Sequence, residues 1–421
     1  MAWLDFVVRL AWVTKPPIRY PIRAHATIIT HLVSNLDMKL IFTLLVTLLL
    51  PMPVKAQPVS LPIAPVLAAQ SYVLFDFTSN QVLVTHNGNK HIEPASLTKL
   101  MTAYLTFKSL RENTLSMGKA VFPSEAALHA QGVESRMFLD KSKSVTISEL
   151  LHGLIVQSGN DAARVLAITI AGSEEGFATL MNQEAALLGM KDTHFVNATG
   201  LPHPQHYSSA YDIALLASAI IRNFPEHYPI YSLREYRYNN INQANRNRLL
   251  WMDYYVDGMK TGHTDSAGFC LVASAKRNQR RIVSVVMGAE SDTLRATQSQ
   301  KLLNFGFQNF EAVRLYQKNE EVASLTLWKG SESKVRTGFK SDLYLSIPTG
   351  QLAQLKIAME TQPPLIAPIA GGQKVGSIKI SLGDKPYAEY PLEALDPVPM
   401  ANVLSRGWDT IHLLFKYRIF F

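Results

Sequence analysis

The sequence predicts an α+β domain, a smaller all-β module behind it and an amphipathic helix at the C-terminus. Three observations carry that expectation. β-rich runs stand at both ends of residues 57–310 with helical periods between them, so one antiparallel sheet draws strands from both ends and carries a helical cluster. Beyond residue 311 the text turns to short apolar–polar alternations, "ASLTLWKG", "SDLYLSIP", "QLKIAME" and "GSIKISL", punctuated by Gly, Pro and Asp. The last stretch, "MANVLSRGWDTIHLLFKYRIFF", sets Leu404, Trp408, Ile411, Phe415 and Ile419 on one helical stripe beside Arg406, Lys416 and Arg418.

Taken in order, "SYVLFDFTSNQVLVTH" reads as a hairpin turning at the polar DFTSN. "EPASLTKLMTAYL" follows, with Leu97, Leu100, Met101, Tyr104 and Leu105 as the stripe of a packed helix and Pro94 in its first turn. Residues 128–143 are loop-like. "TISELLHGLIVQ" regains helical period and stops at "SGND", where Asn160 or Asp161 is suited to cap the next helix. Helical patterns recur at 174–190, 209–223 and 291–310, and "AGFCLVASA" and "RRIVSVVMGA" are buried strands around the turn KRNQR. Residues 311–400 form the all-β module, 401–421 the helix. Two readings fit that helix: packing on the β module, or lying in a membrane interface. The terminal aromatics favour the second.

At 421 residues and 47% hydrophobic the chain is globular and long enough for two or three domains. The net charge of +8 does not mark a nucleic-acid binder. Residues 1–56 hold six Lys/Arg and two Asp/Glu, leaving 35 against 31 elsewhere, with no Arg-rich stripe among aromatics. The single cysteine, Cys270, lies in an apolar run and reads as a buried structural thiol. No histidine spacing suggests a metal site, and no cofactor is expected. "MKLIFTLLVTLLLPMPVKAQ" has the anatomy of a secretory signal peptide over 38–56, its uncharged run too short for a comfortable membrane span. Residues 1–37 are then an upstream extension, read as untranslated sequence or, alternatively, as part of an uncleaved anchor.

Ser96 and Lys99 stand three apart, so a helix brings the amine to the hydroxyl. Spacing alone decides nothing, because Ser116–Lys119 and Ser331–Lys334 repeat it. Two other short motifs give it meaning: Ser158 and Asn160 in "QSGND", then Lys260, Thr261 and Gly262 in "MKTGHT". In this order, each at an element edge of one α+β domain, the three are improbable by chance. The set resembles the serine penicillin-recognising acyl transferases. "SRMFL", "VQSGNDA", "NRNRLLW" and "VDGMKTGHTDSAGFCLVASA" are closely similar to the D-alanyl-D-alanine carboxypeptidases, the low-molecular-mass penicillin-binding proteins, from about residue 65 onward.

The resemblance implies a β-lactamase/transpeptidase-like domain and removal of the terminal D-alanine from peptidoglycan stem peptides, with β-lactams as covalent inhibitors. It places the mature protein on the periplasmic face of the bacterial inner membrane, held at the membrane surface by the C-terminal helix. Ser96 is the expected nucleophile and Lys99 its base, provided nearby Lys260 and partial burial depress its pKa. Ser158 relays a proton between Lys260 and the leaving nitrogen, and Asn160 holds the substrate amide. Lys260 and Thr261 take the terminal carboxylate, Gly262 permits close strand approach, and the amides of Ser96 and His263 form the oxyanion hole. His263, Asp212 in "SSAYDIALLA" and Arg246 in "NRN" match residues that support the site, although Asp212 also fits a helix cap and Arg246 an ion pair. The rivals are a β-lactamase, an endopeptidase and a non-catalytic wall-binding scaffold. No glutamate lies between Glu184 and Glu226, where a lactamase would need one to activate water, and the intact motifs argue against a dead scaffold.

Overall fold

The computed structural model describes residues 61–129 and 132–417. The signal peptide read at 38–56, the extension before it and the last four residues, Arg418 and Ile419 among them, lie outside the described residues. The first sheet has five antiparallel strands: β1 (Ser71–Asp76), β2 (Gln81–His86), β3 (Val256–Thr264), β4 (Gly268–Arg277) and β5 (Arg280–Ala289). Their order is β2-β1-β5-β4-β3, so the N-terminal hairpin joins the late strands through the β1–β5 pairing, Ser71 opposite Met287. Alternate residues face opposite sides, as the two-residue period requires. Val73, Phe75, Val283 and Val285 face the large helical core, whereas Leu74, Ile282 and Val286 face a second core with Leu302 and Leu303.

Five helices build the large core: α1 (Lys99–Arg111), α2 (Ile147–Ile155), α3 (Asn160–Ala171), α4 (Glu174–Leu187) and α5 (Ala210–Asn223). A sixth, α6 (Asp292–Asn309), covers the other face. Side chains fix several starts: Thr146 and Glu149 form a capping box on α2, and Ser173, Ser209 and Ser291 cap α4, α5 and α6. Neither Asn160 nor Asp161 caps α3. Gly159 is its N-cap, and Asp161 instead accepts the backbone N–H groups of Met137 and Leu139.

The C-terminal module is all-β, with a six-stranded sheet and a two-stranded ribbon pairing Phe310–Tyr316 with Leu343–Pro348. It is sewn to the first sheet by a buried carboxylate. Asp76, fully buried, takes Arg280 Nε at 2.7 Å and the Ser346 hydroxyl, while Ser346 N donates to Gln81 Oε1 at 2.6 Å. The final helix, α7 (Val403–Tyr417), is docked along one side, as the packing reading expects. Leu413 is buried, and Asp409 accepts Lys329 N, so one side docks on the β module. Leu404, Trp408, Ile411 and Phe415 stay exposed on the other. No helix among the described residues is long and apolar enough to cross a membrane.

Candidate active site

Ser96 sits in a short 3-10 turn, Ala95–Thr98, that runs into α1 with its apolar face buried. One edge of α1 anchors the facing loop: Thr98 Oγ1 meets His206 Nε2 at 2.8 Å, Lys99 Nζ donates to Thr199 O at 2.6 Å and Thr102 Oγ1 to Ala198 O at 2.7 Å. Burial drops His206 to a pKa of about 4, which keeps it neutral. The turn is pressed from two sides. A Cβ on Gly200 would lie 1.8 Å from Ala95 O, and one on Gly262 would lie 2.9 Å from Pro94 O and 3.2 Å from Ser96 N. Only glycine lets the β3 edge and the 199–201 loop approach the serine this closely.

The three motifs meet in one cleft of about 780 Å³, lined by Ser96, Ser158, Asn160, Arg246, Thr261 and His263 among others. A larger cavity of about 940 Å³ lies between the two domains and contains none of them. Lys99 Nζ is 2.9 Å from Ser96 Oγ, and Lys260 Nζ is 2.8 Å from Ser158 Oγ. The two lysines are 1% and 2% exposed, so each amine loses the hydration that keeps it charged. Burial brings Lys99 down to a pKa of about 7, with Arg164 pushing the same way and Glu134 opposing. Of the two causes expected for Lys99, burial leads and Lys260 does not; the first cation is Arg164. Burial also takes Lys260 well below the usual lysine range, with Lys99 and Arg246 adding to it.

Around these pairs the site residues divide. Asn245 and Asn247 bond backbone on either side of Arg246, at 2.9 Å to Leu233 O and 2.9 Å to Gly258 O. The turn therefore holds Arg246 at the cleft, and no acid pairs with it among the described residues. His263 is exposed and lies against Phe269, ring centroids 4.0 Å apart. Asp212 does not line the cleft. It is the third residue of α5, its N–H taken by the Ser209 cap, and its carboxylate accepts Asp192 N and Thr193 Oγ1, both at 2.7 Å. It fixes a turn behind the site, where Thr193 Oγ1 also meets Ser208 Oγ at 2.8 Å and Ser208 pairs with Ile92.

Three cleft residues, Thr199, Arg295 and Glu134, and Arg164 behind them have no place in the sequence motifs. Thr199 holds Lys99, and Arg295 on α6 donates to Gly262 O at 3.0 Å, steadying β3. Glu134 and Arg164 form a buried pair beside Asn160. No residue of the glutamate-free segment between Glu184 and Glu226 brings a carboxylate of that type to the cleft, whose one lining glutamate among the described residues is Glu134. Its carboxylate is 1% exposed and tied to Arg164 and Asn160, so it is committed to a buried ion pair. Gly159 is also explained: a Cβ there would meet Asp161 Oδ1 at 2.7 Å and Met137 N at 3.1 Å, so the aspartate of other signatures has no room.

A serine hydroxyl beside a desolvated lysine, a second serine–lysine pair and a tight backbone turn at the nucleophile define a serine acyl transferase of the Ser-x-x-Lys class. Comparison with known proteins narrows the class. The D-alanyl-D-alanine carboxypeptidase family profile matches residues 58–291, and that of the penicillin-binding protein 5 C-terminal domain matches 310–399. The D-alanyl-D-alanine carboxypeptidase DacD of Salmonella typhimurium is 40% identical over 83% of this chain and 91% of its own. Penicillin-binding protein 5 from Haemophilus influenzae superposes with a TM-score of 0.77 at 38% identity, covering 80% of this chain and 99% of that one. Penicillin-binding protein D2 from Listeria monocytogenes, solved in its ampicillin-bound form, covers 59% of this chain and 100% of that one, at a TM-score of 0.54 and 29% identity. The chain belongs to the D-alanyl-D-alanine carboxypeptidase family.

Proposed function

We propose that the protein removes the terminal D-alanine from peptidoglycan stem peptides through an acyl-enzyme on Ser96. The observation that carries this reading is the 2.9 Å approach of Lys99 to Ser96, with Lys99 held near neutrality. Ser96 Oγ attacks the carbonyl of the penultimate residue while unprotonated Lys99 takes its proton. The amides of Ser96 and His263 meet the oxyanion. Ser158 passes a proton to the leaving nitrogen and is resupplied by Lys260, the C–N bond breaks, and free D-alanine departs. Thr261, Lys260 and Arg246 receive its carboxylate. Water then cleaves the Ser96 ester. A β-lactam enters the same first step, as the ampicillin-bound Listeria relative supports, and its adduct persists because Glu134, the one glutamate lining the cleft among the described residues, is committed to its buried ion pair with Arg164. The test is labelling with a fluorescent penicillin followed by D-alanine release from a pentapeptide; failure of both removes this reading.

Export by the 38–56 signal peptide and attachment of α7 to the periplasmic face of the inner membrane complete the proposal. Supporting it is the exposed stripe of Leu404, Trp408, Ile411 and Phe415, which one docked side of the helix leaves uncovered. Deleting residues 402–421 is expected to release the mature protein from membranes with D-alanine turnover in solution unchanged. Sedimentation with vesicles after the deletion would show that attachment lies elsewhere.

A further inference from the structure

We propose that Glu134 and Arg164 are positioning residues that fix the orientation of the Asn160 amide in the catalytic cleft. The inference rests on the Ser96 reading above. Arg164 follows Asn160 by four residues on α3, so both side chains leave the same face of the helix. They converge on one carboxylate from the preceding loop. Arg164 grips Glu134 through both ends of its guanidinium, at 3.0 and 2.6 Å, and Asn160 Nδ2 donates to Glu134 Oε2 at 2.8 Å. Backbone reinforces the contact, because Asn160 N donates to Ser135 O at 2.7 Å. The side chains of Arg164 and Glu134 are 4% and 1% exposed, yet Glu134 borders the cleft with Ser96 and Asn160.

The chemistry of the carboxylate makes the orientation single. Burial favours the protonated acid, but the hydrogen bonds from Arg164 and Asn160 outweigh it and keep Glu134 ionised. An ionised carboxylate only accepts. A flipped Asn160 would set Oδ1 against Oε2, two acceptors in contact, so Nδ2 must face Glu134. The carbonyl oxygen and the second amide N–H then remain for the cleft. The same pair acts on the base. The charged groups facing Lys99 are Arg164 and Asp161 from α3, Glu134 from the loop, Arg246, and Lys260, with neutral His206 behind Thr98. Arg164 and Glu134 act on it in opposite directions.

Three variants test this: Glu134→Gln, Arg164→Met and the charge-free double variant Glu134→Leu/Arg164→Met. The readouts are acylation of Ser96 by a fluorescent penicillin and D-alanine release, each followed across pH. Glu134→Gln keeps the shape, permits either amide orientation and removes a negative charge. Its kcat/KM is expected to fall about tenfold or more, with the acid limb shifted to lower pH. Arg164→Met removes a positive charge and should shift that limb to higher pH. The double variant leaves no buried unpaired charge, which protects its fold; its limb should return toward the parent's while kcat/KM stays low, because nothing orients Asn160. Parent-like kcat/KM in the double variant, or limbs that move together in the single variants, overturns the inference. An unlabelled parent enzyme would instead overturn the Ser96 reading, so the two failures are separable.

Discussion

Ser96→Ala is expected to abolish penicillin labelling and to lower D-alanine release by roughly 10⁴- to 10⁶-fold, the scale on which covalent hydrolases lose rate with their nucleophile. The fold should survive, because Ser96 is only partly buried and its backbone is set by the glycines pressed against Ala95. Ser116→Ala and Ser331→Ala serve as controls. Both serines share the three-residue spacing to a lysine, but neither lies in a helix and both are exposed, so labelling should be unchanged. Substantial adduct on the Ser96→Ala protein, located by mass spectrometry, would assign the nucleophile elsewhere.

The second large effect is on pH dependence and on Lys99. With a pKa of about 7, Lys99 is half unprotonated at neutrality; an unperturbed lysine would be so in only about one molecule in a few thousand. The proton must be absent for Lys99 to act as base, so activity rises with pH through about 7 and falls roughly tenfold per unit below it. Lys99→Arg keeps a cation that never loses its proton and should lose about 10²- to 10⁴-fold at every pH. A Ser96 acylation rate flat from pH 5 to pH 8 would remove Lys99 from the role of base.

The sequence exposed the parts of the site that follow from short-range rules. Ser96 and Lys99 were legible because helical spacing brings them together, and Gly262, which lies inside β3, because a glycine in a strand signals close approach. The sheet was legible because β1 carries aromatic and apolar residues and β5 a run of β-branched ones. Glu134 was not. It comes from a loop without periodicity, and only the folded chain brings it to α3. Arg164 left one faint mark, a lone arginine inside the apolar run "NDAARVLAITI", which a buried partner had to explain. The part Arg164 plays in the Lys99 shift was hidden for the same reason, whereas burial was expected. Asp212, read as a supporting residue or a helix cap, has its place shown only by the fold: its hydrogen bonds belong to the turn at 192–193.

The carboxylate at the domain junction bears on how the molecule comes apart. Asp76 belongs to the first sheet, but its charge is satisfied partly by Ser346 of the β module, and the β module's own strand borrows Gln81 in return. Neither module is therefore complete at its edge without the other. A hydrogen bond to a buried charge is worth about 1.5–3 kcal/mol, so separating the modules costs the first sheet stability at β1. Heating is then expected to melt residues 61–400 as one cooperative unit, seen as a single calorimetric transition. A chain cut after residue 310 should melt earlier than the whole. Two well-resolved transitions would show that the junction transmits no stability between the modules.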